Sequence, residues 1–309
     1  MKEGKLVSDY DRVAYPSGVY TQTHPDRLAT MAHLMGLEPP LVTHARVLEL
    51  GCGDGLNLIS LGHILPQAEF VGVDLAEKPI AKGNGLIEHA GLKNVQLHAA
   101  DVLKLKSSLG EFDYIIAHGL YCWVPPEVRD GIMRLCESSL SPNGVAYISY
   151  NAYPGNHSRD LARGIMRFHN SQFDDAKTKI DQSRSVLKFI VGSQPEPDLY
   201  RLVLDRELKR VTGYNDSAFY HDDLSEQNQP FYFYQFIEHA EKHGMQYLGE
   251  ADFGDMREDG YLPKTAAMLR QLGGNLIARE QYLDLLRNRA FRQTLICRKE
   301  ATLDRSILP

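Results

Sequence analysis

From residue 46 onward the chain alternates short apolar runs with stretches of helical spacing. Arg46-Val47-Leu48-Glu49-Leu50 has the length and composition of a buried strand, and a glycine loop and a helix over about 56–65 follow it. A second strand, 69–73, ends at Asp74, and a helix is predicted from about 76 to 90. Residues 94–99 form a third strand ending near Asp101, and 112–117 a fourth. Pro125-Pro126 opens a helix with Val128, Ile132 and Leu135 on one face. Ser141-Pro142-Asn143-Gly144 reads as a turn before a fifth strand at 145–149. Strands alternating with helices predict a parallel sheet covered on both faces.

The flanks read differently. Residues 1–45 are rich in Tyr, Pro and His; Thr23 is expected to cap a helix with Pro25 in its first turn, running through Leu28 and Met35 to Pro39-Pro40. Residues 156–212 read as all-helical with a break at Pro195 and Pro197. A helix at 231–243, a strand at 246–249, a helical stretch over about 263–288 and a strand at 292–297 complete the pattern. The expected organisation is an arm and helix over 1–45, a core over 46–155, and a helical insertion over 156–230. Elements returning to the sheet follow over 231–300, then a tail over 301–309. A separate helical domain from 156 on is the alternative.

Composition narrows the class. The 309 residues are 43% hydrophobic and 24% charged, which excludes wholesale disorder. A net charge of −6 supplies no global field for nucleic acid or an anionic membrane, so neither is expected as a partner. The apolar runs fall well short of the roughly 20 residues a bilayer needs. Met1–Lys5 leads into polar sequence without an apolar segment, so no secretory signal is expected. Cys52, Cys122, Cys136 and Cys297 form no Cys-x-x-Cys pair, which argues for a reducing cytoplasm and against a thiolate metal site. His239 and His243 stand four apart on a helix, but no third ligand is evident, so they read as a solvated face and no metal is expected. The charges at 201–210 alternate in sign and read as a solvated helix.

The chemistry-bearing motif is Glu49-Leu50-Gly51-Cys52-Gly53-Asp54-Gly55, between a strand and a helix. Counted from Gly51, the sixth position is Leu56, so the spacing departs from the dinucleotide fingerprint. Glu49 and Asp54 would repel a pyrophosphate and suit a cationic ligand. Asp74, nineteen residues after Gly55, stands where a carboxylate accepts from two ribose hydroxyls. Asp101 is placed to accept from an adenine amino group, with the Val102 N–H donating to a ring nitrogen.

Together the loop, Asp74, Ala100-Asp101-Val102, Phe112-Asp113-Tyr114-Ile115 and Leu140-Ser141-Pro142-Asn143-Gly144 resemble the class I S-adenosylmethionine-dependent methyltransferases. The resemblance is strongest over 46–150 and implies a Rossmann-like α/β fold with a mostly parallel seven-stranded sheet, helices on both faces and helical insertions. Tyr10-Asp11 through Asp26-Arg27-Leu28-Ala29, His118 to Pro125, Ser149-Tyr150-Asn151 with Pro154-Gly155, and Asn228 to Phe233 resemble the members carrying a methyltransferase regulatory domain. That group includes bacterial lysine methyltransferases acting on outer-membrane proteins. It often continues into a further C-terminal domain, which is not expected within these residues.

The resemblance implies S-adenosylmethionine as cofactor. Glu49, Gly51, Cys52, Gly53 and Asn57 would line its methionine half, Asp74 and Leu75 its ribose, and Ala100, Asp101 and Val102 its adenine. His118 and Gly119 would lie near the sulfonium, with Tyr121 and Trp123 on the acceptor side. Tyr10, Tyr15 and Tyr20 are candidates for a lid, and Arg27 for the methionine carboxylate; an ordinary surface arm is the alternative. His118-Gly119-Leu120-Tyr121 lacks the Asn/Asp-Pro-Pro-aromatic pattern common where adenine or glutamine amides are methylated. His118 is then either a general base or a wall of the pocket, and Tyr121 and Trp123 either line an alkylamine channel or pack in the core. Tyr220-His221-Asp222-Asp223 either reaches an acceptor or caps a helix with solvated carboxylates. The expected activity is in-line methyl transfer to a nucleophile, with a protein lysine amine first, and a small molecule or a non-catalytic cofactor-binding regulatory module as alternatives.

Overall fold

The computed structural model describes residues 13, 15–16, 18–105, 109–258 and 260–306; Tyr10 and Asp11 lie outside the described residues. Strands β1 (Arg46–Leu50), β2 (Glu69–Asp74), β3 (Val95–Ala99), β4 (Phe112–Ala117), β5 (Leu140–Asn151), β6 (Met245–Glu250) and β7 (Phe291–Arg298) form a single sheet in the order β3-β2-β1-β4-β5-β7-β6. Neighbours pair in parallel except around β7, which runs antiparallel to both β5 and β6. The order reverses between β1 and β4, so the carboxyl ends of those strands open the crevice where α/β sheets bind ligands.

The sheet belongs to one unit, Ser17–Tyr153 with Gln229–Pro309. Its helices are α1 (Pro25–Leu34), α2 (Leu56–Ile64), α3 (Glu77–Ala90) and α4 (Pro126–Ser139) from the first part of the chain. Residues alternating along β1 face opposite layers: Val47 belongs to the core that holds Leu28, Leu58 and Ile80, and Leu48 to the core that holds Ile132 and Phe236. The second unit, Met1–Pro16 with Pro154–Asn228, holds α5 (His157–Asn170), α6 (Ala176–Ser193), α7 (Leu199–Thr212) and α8 (Asp216–Leu224). These helices share their own core of Met166, Leu187, Leu204 and Phe219. The sheet unit resumes with α9 (Phe233–Lys242), α10 (Pro263–Leu272) and α11 (Leu276–Arg287). Among the described residues no helix is long and apolar enough to cross a membrane.

Four local expectations are corrected. The cap of α1 is His24, whose Nδ1 accepts from the Asp26 N–H, while the Thr23 hydroxyl donates to Tyr20 O. That helix ends before the prolines, at Met35, where Gly36 takes a left-handed φ of 77°. Residues 141–144 are an excursion inside β5: Phe112 pairs with Leu140 and Tyr114 with Val145, and the Ser141 hydroxyl donates to Asp113 Oδ1 at 3.0 Å. The stretch 263–288 is two helices, because Gly273-Gly274 interrupts it and Asn275 caps the second by accepting from the Ala278 N–H.

A buried ionic core was not foreseen. Arg292 on β7 is fully buried, with Nη1 2.5 Å from Glu250 Oε1, Nε 2.8 Å from Asp284 Oδ2 and Nη2 3.1 Å from Glu280 Oε2. Its guanidinium lies 3.9 Å from the centre of the Phe233 ring. In the helical unit Asp223 is fully buried between Arg159 and Arg210, 2.9 and 2.8 Å away, so it is not a solvated carboxylate.

Candidate active site

The loop after β1 is held by its neighbour strand: the Gly51 N–H donates to Val73 O at 2.8 Å. The Gly53 N–H donates to Asp74 Oδ2 at 2.9 Å, and the Ala76 N–H to Asp74 Oδ1 at 2.8 Å. A carboxylate held in this way by two backbone N–H groups is fixed in orientation at the carboxyl end of β2. Gly53 has φ 58° and open space where a Cβ would stand, so the backbone presents a bare surface. The loop rests on α3, where a Cβ at Gly83 would come within 2.2 Å of Asp54 O. Lys82 Nζ, 2.7 Å from Asp54 Oδ2, offsets the charge of that buried carboxylate. The sequence reading missed this pairing.

Glu49 at the end of β1 is the electrostatic centre of the site. Its Oε1 accepts from Asn57 Nδ2 at 3.1 Å, while Oε2 is buried with no hydrogen-bond partner. Burial, aided by the negative charge of Asp74, pushes its pKa up to about 8. An ammonium group at Oε2 would supply the missing donors and counter-charge, which is what the amino group of a methionine moiety offers. Asn57 also donates to Thr23 Oγ1 at 3.1 Å and accepts from the Tyr20 N–H at 3.0 Å. The segment before α1 is thereby tied to the cofactor loop. Burial and the charges of Glu49 and Asp74 hold the Cys52 thiol protonated, so it lines the loop without being a nucleophile.

The β3 end closes the row. The Ala100 N–H donates to Asp74 O, and Asp101 Oδ1 accepts from the Leu103 N–H at 2.9 Å, capping the short turn Val102–Lys104. Leu75, 70% exposed beside Asp74, offers an apolar face.

The His118 ring after β4 lies against the Tyr20 ring at a tilt of 41°, with centroids 4.1 Å apart. Its Nδ1 is 3.0 Å from Tyr147 Oη and 3.2 Å from Ser149 Oγ, and the Ser149 oxygen accepts from the Gly119 N–H at 2.8 Å. Tyr147 and Ser149 were missed; their signal is i, i+2 spacing on the strand beside β4. Burial lowers the His118 pKa to about 4, so the ring is neutral near pH 7. A neutral ring does not repel a bound sulfonium.

Other expected residues make contacts of their own. Tyr121 is 1% exposed, packed against Phe231 and Phe236, with its hydroxyl 2.5 Å from His239 Nδ1. Trp123 is half-buried at the end of the same short turn. Arg27 lies 4.0 Å from Asp252 and is half exposed. Tyr15 donates to Asp222 in the helical unit.

A family model described as a methyltransferase domain matches residues 47–144, and one described as a predicted methyltransferase regulatory domain matches 215–298. The uncharacterized protein RP028 of Rickettsia prowazekii (strain Madrid E) is 41% identical over 75% of this chain and 94% of its own. RP789 of the same organism is 39% identical over 96% of this chain. The structure of PKMT2 from Rickettsia typhi matches at 38% identity and TM-score 0.86 over 94% of this chain, and its complex with AdoHcy at TM-score 0.85. The chain spans about half the length of the last two relatives, 54% of RP789 and 56% of PKMT2. With the sheet order, the cofactor loop and these matches in hand, the chain belongs to the class I S-adenosylmethionine-dependent methyltransferases that carry a methyltransferase regulatory domain.

Proposed function

We propose that the methyl acceptor is the side-chain amine of a protein lysine, and that the enzyme works in the cytoplasm on a protein and not on nucleic acid. The observation that carries this reading is the 38% identity with PKMT2 across 94% of this chain, joined to the motifs around His118 and Asn228. The bound cofactor supplies a methyl group made electrophilic by its sulfonium. Glu49, Asp74 and Asp101 would hold the two ends of that molecule, which leaves alignment of the acceptor as the main catalytic demand. His118 and Tyr20 offer a neutral, aromatic surface beside it. Such surroundings disfavour the charged form of an amine whose ordinary pKa is about 10.4, and the neutral form is the nucleophile.

The test is incubation of the full chain with methyl-labelled S-adenosylmethionine and a lysate of its source, followed by acid precipitation and hydrolysis. Label recovered in protein as methyl-lysine is expected. Label confined to the soluble fraction would replace this reading with a small-molecule acceptor.

A further inference from the structure

We propose that Asp130, His239 and His243 form a binding site for a borderline divalent cation of the Zn²⁺ kind, clipping α4 to α9. His239 on α9 and His243 at its C-terminal cap are one turn apart, and Asp130 on α4 approaches both. Asp130 Oδ1 is 2.7 Å from His239 Nε2 and 3.8 Å from His243 Nε2, and one ligand atom from each residue lies within 4.8 Å of the others. A tetrahedral ion bound at about 2.0–2.1 Å needs ligand atoms about 3.3 Å apart, which these side chains reach by small rotations. The two imidazoles stand perpendicular, with ring planes at 87°, so their nitrogens converge without stacking.

The surroundings suit such a site. His239 Nδ1, the nitrogen not facing Asp130, is 2.5 Å from the buried hydroxyl of Tyr121. Metal-bound histidines characteristically donate their second N–H to a fixed acceptor, which locks tautomer and ring orientation. The three ligands are 47%, 22% and 18% exposed at their side chains, so an ion can enter and water can fill the fourth position. Two nitrogens and one carboxylate oxygen select Zn²⁺, Ni²⁺ or Cu²⁺ over Mg²⁺. Arg129 beside Asp130 is tied to Val124 O and Gln229 Oε1, and its charge still acts on His239, so the Asp130 carboxylate is what compensates an incoming cation. Through His239 and Tyr121 the ion would brace the short turn Tyr121–Trp123, three residues beyond His118. Its role is therefore structural, and methyl transfer needs no contact with it.

Zinc chloride, competed against a chromophoric chelator, measures the site in the full chain. One equivalent bound is expected, with a melting temperature that rises with zinc and not with magnesium. His243→Gln and Asp130→Asn are each expected to weaken binding tenfold or more, and Tyr121→Phe about tenfold. His63→Gln, at an exposed histidine elsewhere, should change nothing. Cobalt in place of zinc should give ligand-field bands without a thiolate charge-transfer band, which excludes the cysteines as ligands. Absence of stoichiometric binding, a thiolate band, or affinity unchanged in both His243→Gln and Asp130→Asn would overturn the proposal. The unmodified protein alone decides the first two outcomes, so a variant that fails to fold leaves the test intact.

Discussion

Asn57 donates to one oxygen of Glu49 at 3.1 Å and leaves the other oxygen buried with no partner. Proposed as the partner of the cofactor's ammonium group, that half-satisfied carboxylate would make cofactor binding pH-dependent. With the Glu49 pKa near 8 in the free protein, an ammonium-bearing ligand must first displace a proton. Affinity for S-adenosylhomocysteine is therefore expected to rise about tenfold per unit between pH 6 and 7.5 and to flatten above 8. Calorimetry in buffers of different ionisation heat should register proton release. Glu49→Gln should remove the slope and lower affinity by about 1.5–3 kcal/mol.

At Gly53 the backbone is left-handed and faces open space. Gly53→Val strains this conformation and fills the surface where the ligand approaches, without touching the core. Affinity for S-adenosylhomocysteine should fall at least a hundredfold, with the far-UV dichroism unchanged. Wild-type affinity in this variant would remove the loop from the site.

Neutrality of His118 predicts a positioning role. A general base at this position would contribute about 10²–10⁴ to turnover. A ring whose pKa is lowered to about 4 is a poor base for an amine. His118→Asn should lower kcat by about tenfold or less, and no limb of the wild-type pH profile between 6 and 8 should vanish in the variant.

Stability of the sheet unit depends on Arg292. Its removal leaves Glu250, Glu280 and Asp284 buried, with Arg289 3.0 Å from Asp284 and 3.8 Å from Glu250. Burial already pushes the Glu280 and Asp284 carboxyls up. Arg292→Met should destabilise by about 3–5 kcal/mol in urea unfolding. Adding Glu250→Gln and Asp284→Asn should recover part of the loss.

What was legible in the sequence was local. Strands β1, β2 and β4 declare themselves by apolar runs that end in chemistry, and Glu49, Gly53, Asp74 and Asp101 each sit within three residues of a strand end. The seven-stranded sheet was within reach because β6 and β7 keep the alternation of a strand. Contacts across long separations were not legible. Arg292 meets Glu250, Glu280 and Asp284 only after one helix and two strands have packed. Asp130 reaches His239 across more than a hundred positions, which is why the histidine pair read as solvated. Tyr147 and Ser149 read as plain strand residues until the register of β4 on β5 set them against His118. The Gly273-Gly274 break was visible in composition, yet helical spacing on both sides masked it.

Titration of S-adenosylhomocysteine into the wild-type chain and into Asp74→Ala, followed by calorimetry, tests the account most directly. Asp74 joins the Gly53 loop to the start of α3 and is the residue proposed to hold the ribose. The account predicts one equivalent bound by the wild type and at least a hundredfold weaker binding by the folded variant. No binding by the wild type, or equal binding by both, would contradict it.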